Sequence, residues 1–94
     1  MRKIDGIASA AFTGNYPFAS GNTTVTVEEG RTCLFLFGNK IAERNSEGLF
    51  VTTAGWDTHT TRSRLNSIPN VRVHRNKQLY LNGEVWEGEW KKVQ

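Results

Sequence analysis

Hydrophobic and polar residues alternate through much of the middle of the chain, and turn-forming residues break the pattern every eight to ten positions. In Thr23-Thr24-Val25-Thr26-Val27-Glu28 the two valines alternate with hydroxyl residues, as a strand with one buried face requires. Glu29-Gly30 supplies a tight turn into Cys33-Leu34-Phe35-Leu36-Phe37. That run is apolar at every position and reads as a central strand covered on both sides. Gly38-Asn39 is a two-residue hairpin signal, because Gly and Asn tolerate the positive φ of primed turns. A short strand around Lys40-Ile41-Ala42-Glu43 follows, then a loop at Asn45-Ser46-Glu47-Gly48 and a fourth strand, Leu49-Phe50-Val51-Thr52-Thr53. Together these runs predict an antiparallel meander.

The period changes after Ala54-Gly55-Trp56. Over residues 57–68, Leu65, Ile68 and the methyl of Thr61 fall at helical spacing on one face. Asp57 or Thr58 can cap the first turn, and Pro69 stops the helix. Alternation returns in Val71-Arg72-Val73-His74-Arg75, with a turn at Asn76-Lys77 and a strand at Gln78-Leu79-Tyr80-Leu81. Asn82-Gly83, the strongest short hairpin signal in the chain, leads into Glu84-Val85-Trp86. The tail Glu87-Gly88-Glu89-Trp90-Lys91-Lys92 either continues the edge strand or folds over the core. At the other end, Ile4, Ile7, Ala8, Ala11 and Phe12 are spaced for a short amphipathic helix, which Gly6 weakens, and Gly14-Asn15-Tyr16-Pro17-Phe18 reads as a turn. Residues 1–20 are therefore the less certain segment. The expected fold class is α+β: a single domain over residues 1–94, an antiparallel meander in one sheet, one helix at about 57–68 on one face, a C-terminal β-hairpin, and a short N-terminal helix as an option.

Size agrees with a single unit. Ninety-four residues leave no room for two independent cores, and a folded chain of this length has a radius of gyration of roughly 12 Å. A composition of 37% hydrophobic and 22% charged residues excludes a disordered tail, and one cysteine excludes a disulfide scaffold. Cys33 lacks a partner for an intramolecular disulfide, so a reducing compartment fits best. The basic opening Met1-Arg2-Lys3 faintly resembles a signal peptide, but Asp5 and Gly6 interrupt the apolar stretch that one needs. No run approaches the ~20 apolar residues of a membrane span, so no membrane partner is expected.

Several strings in combination resemble a known group of proteins: Gly21-Asn22-Thr23-Thr24-Val25, Gly38-Asn39-Lys40-Ile41-Ala42, and Thr53-Ala54-Gly55-Trp56 with Thr58, Thr60 and Thr61. Further on come Arg64-Leu65-Asn66 with Ile68-Pro69 and Val71-Arg72, then Leu79-Tyr80-Leu81-Asn82-Gly83-Glu84 with Trp86 and Gly88. Over roughly residues 8 to 90 the chain resembles an uncharacterised family of small proteins of tailed bacteriophages and prophages. The resemblance implies a phage origin and action in the bacterial host cytoplasm. It implies no catalytic mechanism, because the family brings no established functional residues.

Catalytic chemistry finds little footing. Cys33 lies in the most apolar strand, where burial raises a thiol pKa and opposes nucleophilic use. His59 follows Asp57 by two residues, and on a helix such positions do not face each other. His74 alternates with Val73 on the exposed side of its strand. Two histidines without ligand-spaced companions do not make a metal site. The nine glycines show no phosphate-cradling spacing and read as turns. The expectation is a non-enzymatic binding module with no catalytic residues, no metal and no cofactor.

Charge is distributed unevenly. The net charge is +3, yet residues 1–60 carry five basic and six acidic residues while residues 61–94 carry seven basic and three acidic. Between residues 62 and 77 stand Arg62, Arg64, Arg72, Arg75 and Lys77 with no acid among them. If helix and strand present these together they form a cationic surface for DNA or RNA, with Trp56 at the helix entry to stack on a base. The simpler reading makes the arginines a solvated face and an edge strand's guard, and places Trp56 in the core under the helix. The alternative function is a protein-binding effector that engages a host protein through Trp86 and Trp90, or a self-associating protein that forms a homodimer. For these two tryptophans the simpler reading is packing on the sheet.

Overall fold

The computed structural model describes residues 3–94, so the basic opening at Met1 and Arg2 lies outside the described residues. Helix α1 (Lys3–Gly14) leads into strands β1 (Phe18–Ser20), β2 (Thr23–Glu28), β3 (Arg31–Leu36), β4 (Asn39–Asn45) and β5 (Gly48–Val51). Helix α2 (His59–Asn66) follows, then β6 (Val73–Asn76), β7 (Gln78–Leu81), β8 (Glu84–Val85) and β9 (Lys91–Lys92). The fold is α+β, as the patterning predicts, with a radius of gyration of 12.1 Å. The meander forms in the expected order but as part of a six-stranded antiparallel sheet, β1-β2-β3-β4-β5-β9, while β6-β7-β8 make a second, three-stranded sheet.

The departures from expectation have local causes. One sheet was expected and two form. After β8 the chain turns at Gly88, whose carbonyl accepts from the Thr53 amide at 3.0 Å and the Thr52 hydroxyl at 2.5 Å. The tail then pairs with β5 rather than extending the small hairpin, so the otherwise open edge of β5 gains a partner. Helix α2 is shorter than 57–68 because Thr58, not Asp57, is its N-cap: the Thr58 hydroxyl accepts from the Thr61 amide at 3.1 Å. In the N-terminal helix the buried face is set by Asp5, Ala8, Ala11 and Phe12, whereas Ile7 faces solvent.

Pairing register assigns the faces of the main sheet. Thr23, Val25, Thr32, Leu34, Leu36, Ala42 and Arg44 share one face by their alternation and cross-strand partners. Both helices lie on it: the Arg44 guanidinium donates to the carbonyls of Phe12 and Thr13 at the end of α1, and the Arg64 guanidinium of α2 donates to the Thr23 hydroxyl. The core between helices and sheet contains Phe12, Val25, Leu34, Ile41, Val51 and Leu65, and Leu81 and Trp86 continue it under the small sheet. The opposite face carries Thr26, Cys33, Phe35, Lys40, Glu43 and Phe50, so β3 is not covered by helices on both sides as its apolar run suggests. Cys33 is nonetheless buried, lying between Thr26 and Glu43 across the sheet.

A register shift in the β3–β4 pairing leaves Ile41 as an extra residue between Lys40 and Ala42. In a regular strand residues three apart point to opposite faces. The bulge restores Lys40 and Glu43 to the same face, where they form an ion pair at 3.0 Å, and it turns Ile41 into the core beside Ala42.

Candidate nucleic-acid interface and the pocket beside it

Two tight turns at one end of the sheet stand next to each other. In the β3–β4 turn Phe37 and Gly38 have φ of 52° and 79°; in the turn after β5 Ala54 and Gly55 have φ of 55° and 84°. Two successive positive φ values are the mark of primed hairpin turns, and the second turn closes with the Trp56 amide donating to the Thr53 carbonyl at 2.9 Å. The first of these lies one residue earlier than the Gly38-Asn39 signal predicts. A bulky aromatic in the left-handed region is a backbone outlier, and Phe37 is 68% exposed there.

Between the turns lies a cavity of about 300 Å³ lined by Leu36, Phe37, Asn39, Ile41, Thr53, Trp56, Thr58 and Thr61. The bulge residue Ile41 forms part of its apolar lining, Phe37 and Trp56 are its exposed aromatics, and the Asn39 amide is a polar group on its wall. Trp56 is 60% exposed, against the simpler expectation of a core residue under the helix. The Ala54-Gly55 turn brings it back over the sheet before α2 begins.

Directly after Trp56, Asp57 accepts from two guanidiniums, those of Arg62 on α2 and Arg75 on β6. One carboxylate thus holds two cations. These arginines, with His59, Ser63, Asn66, Val73 and His74, line an open groove of about 480 Å³ between α2 and β6. Asn66 fixes that spacing: its amide nitrogen donates to the Val73 carbonyl at 2.8 Å while its carbonyl oxygen accepts from the Val73 amide at 2.6 Å. The side chain therefore does for β6 what a neighbouring strand would do. His74 stacks on Tyr80 with ring centroids 4.9 Å apart.

The other sequence-selected residues fall elsewhere. Arg64 belongs to no cationic surface: it is 2% exposed, paired with Asp5, and donates to the Thr23 hydroxyl at 2.9 Å and the Asn22 side-chain oxygen at 3.3 Å. Ser63 donates its hydroxyl to the same Asp5 carboxylate. Helical phase explains the correction, since Arg64 lies next to Leu65 on the inward side of α2. Arg72 and Lys77 are exposed, Lys77 at the β6–β7 turn with φ of 65°. Trp86 is 3% exposed and its indole N–H donates to the Glu89 carbonyl at 2.7 Å, so it is core rather than a surface anchor. Trp90 is half-exposed and lies with Phe50, Glu43 and Asn45 around a shallow depression on the helix-free face. On that face burial pushes the Cys33 thiol up from its ordinary value, the direction opposite to nucleophile activation. Phe37 is inconspicuous in the sequence because it ends an apolar run, and the signal that points to it is the glycine that follows it.

Over residues 1–92 the chain matches the Kyanoviridae Gp96 protein family, and it belongs to that family, a phage family of unknown function. No curated protein and no solved structure matches it. Among the described residues no helix is long and apolar enough to cross a membrane.

Proposed function

We propose that this member of the Kyanoviridae Gp96 family is a non-enzymatic module that binds nucleic acid in the host cytoplasm through the groove between α2 and β6. The observation that carries the reading is the pair of arginines, Arg62 and Arg75, sharing the single carboxylate of Asp57 beside an exposed Trp56. Two guanidiniums on one carboxylate leave a net positive charge, and guanidinium geometry suits bidentate capture of phosphate. His59 and His74 add donors on the groove, and Arg72 and Lys77 add exposed cations on the neighbouring hairpin. Arg64 is buried and takes no part, so the contact set is Arg62, Arg75, Arg72 and Lys77 with Trp56.

The test is a fluorescence-anisotropy titration with single- and double-stranded oligonucleotides across a range of salt. With three or four phosphates engaged, affinity for a single strand falls roughly twenty- to fifty-fold between 50 and 200 mM salt. Absence of binding at low salt overturns the reading.

A second reading has its own observation. Phe35, Phe50 and Trp90 stand partly exposed on the sheet face that neither helix covers, which suits a protein partner, either a host protein or a second copy of the chain. Trp86 drops out of that contact set and Trp90 alone remains. Capture of a host protein that survives nuclease and is lost in Trp90→Ala would favour it.

A further inference from the structure

We infer that the cavity between the Phe37-Gly38 and Ala54-Gly55 turns receives one unstacked nucleobase of a single-stranded nucleic acid; the inference rests on the nucleic-acid reading of the adjoining groove. Three features of the cavity support this occupant. Its volume of about 300 Å³ is at the small end of ligand pockets, enough for one ring system but not for a packed peptide helix. Its lining is apolar with two exposed aromatic rings, and a base offers a π-face to such rings whatever its identity. The Asn39 amide nitrogen donates to the Phe37 carbonyl at 3.4 Å, and its second N–H and its carbonyl oxygen complement the polar edge of a base.

Position and charge point to a strand. Trp56 and Thr58 line the cavity, while Asp57 between them binds the two groove arginines, so one three-residue segment borders both features. A chain whose phosphates displace Asp57 from Arg62 and Arg75 therefore has the cavity at hand for a base. Nothing in the cavity itself is cationic, so it offers the base a stacking site and leaves the phosphate to the groove.

Phe37 supplies the independent argument. A primed turn before glycine is best served by Asn, Asp or Gly, and Phe there carries a steric penalty while leaving most of its ring in water. Neither turn geometry nor core packing accounts for an aromatic at this place; a ligand ring does.

The experiment compares three probes by anisotropy or competition: an oligothymidylate, an abasic phosphodiester strand of equal length, and a free mononucleotide. The wild-type protein is expected to bind the base-bearing strand roughly tenfold or more above the abasic one. Phe37→Asn and Trp56→Ala are expected to erase that difference, and Phe37→Asn is expected to melt no lower than wild type because it relieves the left-handed strain. Equal affinity for the two strands, indifferent to Phe37→Asn, overturns the base pocket and leaves the groove reading standing. Binding of the base-bearing strand without salt dependence overturns the groove reading and, with it, a strand anchored there beside the cavity. A mononucleotide that matches the strand's affinity overturns the assignment to a strand. No binding of any probe overturns both readings.

Discussion

A guanidinium takes its role from its surroundings, and two arginines two residues apart on α2, each paired with an aspartate, differ in theirs. Arg62, its side chain 15% exposed, lines an open groove; Arg64 is buried against Asp5, with Thr23 and Asn22 side-chain oxygens accepting from its other two nitrogens. Removing one member of a buried, hydrogen-bonded pair leaves the other charge in the interior without that counter-ion. Arg64→Ala is expected to lower unfolding stability by about 3–5 kcal/mol in a denaturant titration, whereas the exposed Arg72→Ala changes it by about 0.5 kcal/mol or less. Glu43 gives a pH dependence of defined sign. The Asn45 amide and the Lys40 ammonium hold its carboxyl below the ordinary value of 4.5. A group whose pKa is depressed by folding stabilises the fold above its unfolded pKa and loses that contribution as pH falls through its folded one. The acid limb of a stability profile is therefore expected to be flatter in Glu43→Gln than in wild type. At this scale the sequence was least informative: five cations in sixteen residues looked alike, and only helical phase and a partner 59 residues away distinguish Arg64.

Turns and caps decide the elements. Gly88 has φ of 90°, and a Cβ built there would lie 2.3 Å from the Thr53 hydroxyl oxygen, in the junction that carries the tail from β8 to β9. Gly88→Ala is expected to cost more than about 1 kcal/mol, read as a lower melting temperature, because both the backbone conformation and the space oppose a side chain. Elements that announce themselves by period or by turn chemistry were readable in the sequence. The alternation in β2, the Asn82-Gly83 hairpin with φ of 51° and 87°, and the Thr58 cap all stand where patterning puts them. Strand β1 was not readable, since three residues after Pro17 are too few to show a period, and β9 takes its identity from the edge of β5 rather than from its own residues. The bulge at Ile41 was equally silent, because both Ile41 and Ala42 are apolar and either could have been the inward one.

At the scale of the molecule the two helices share one face of the main sheet, and the candidate site grows where the sheet's end, α2 and the small sheet adjoin. That site was half visible beforehand: Trp56, Arg62 and Arg75 were legible from the charge run and its preceding aromatic, while Phe37, Asn39 and Ile41 reach it through a turn and a bulge that only the folded chain reveals. The order of assembly also follows from the fold. Hairpins β2–β3 and β3–β4 close over short distances, but α1 carries a buried carboxylate, Asp5, whose guanidinium partner lies 59 residues downstream. Contacts of long sequence separation form late, since chain closure must come first. Pulse-labelled hydrogen exchange during refolding is expected to protect β3 and β4 amides before those of α1. On the ribosome the consequence is a delay: the first helix to be synthesised cannot complete its Asp5–Arg64 pair until α2 has emerged, so the earliest-made element is among the last to be finished.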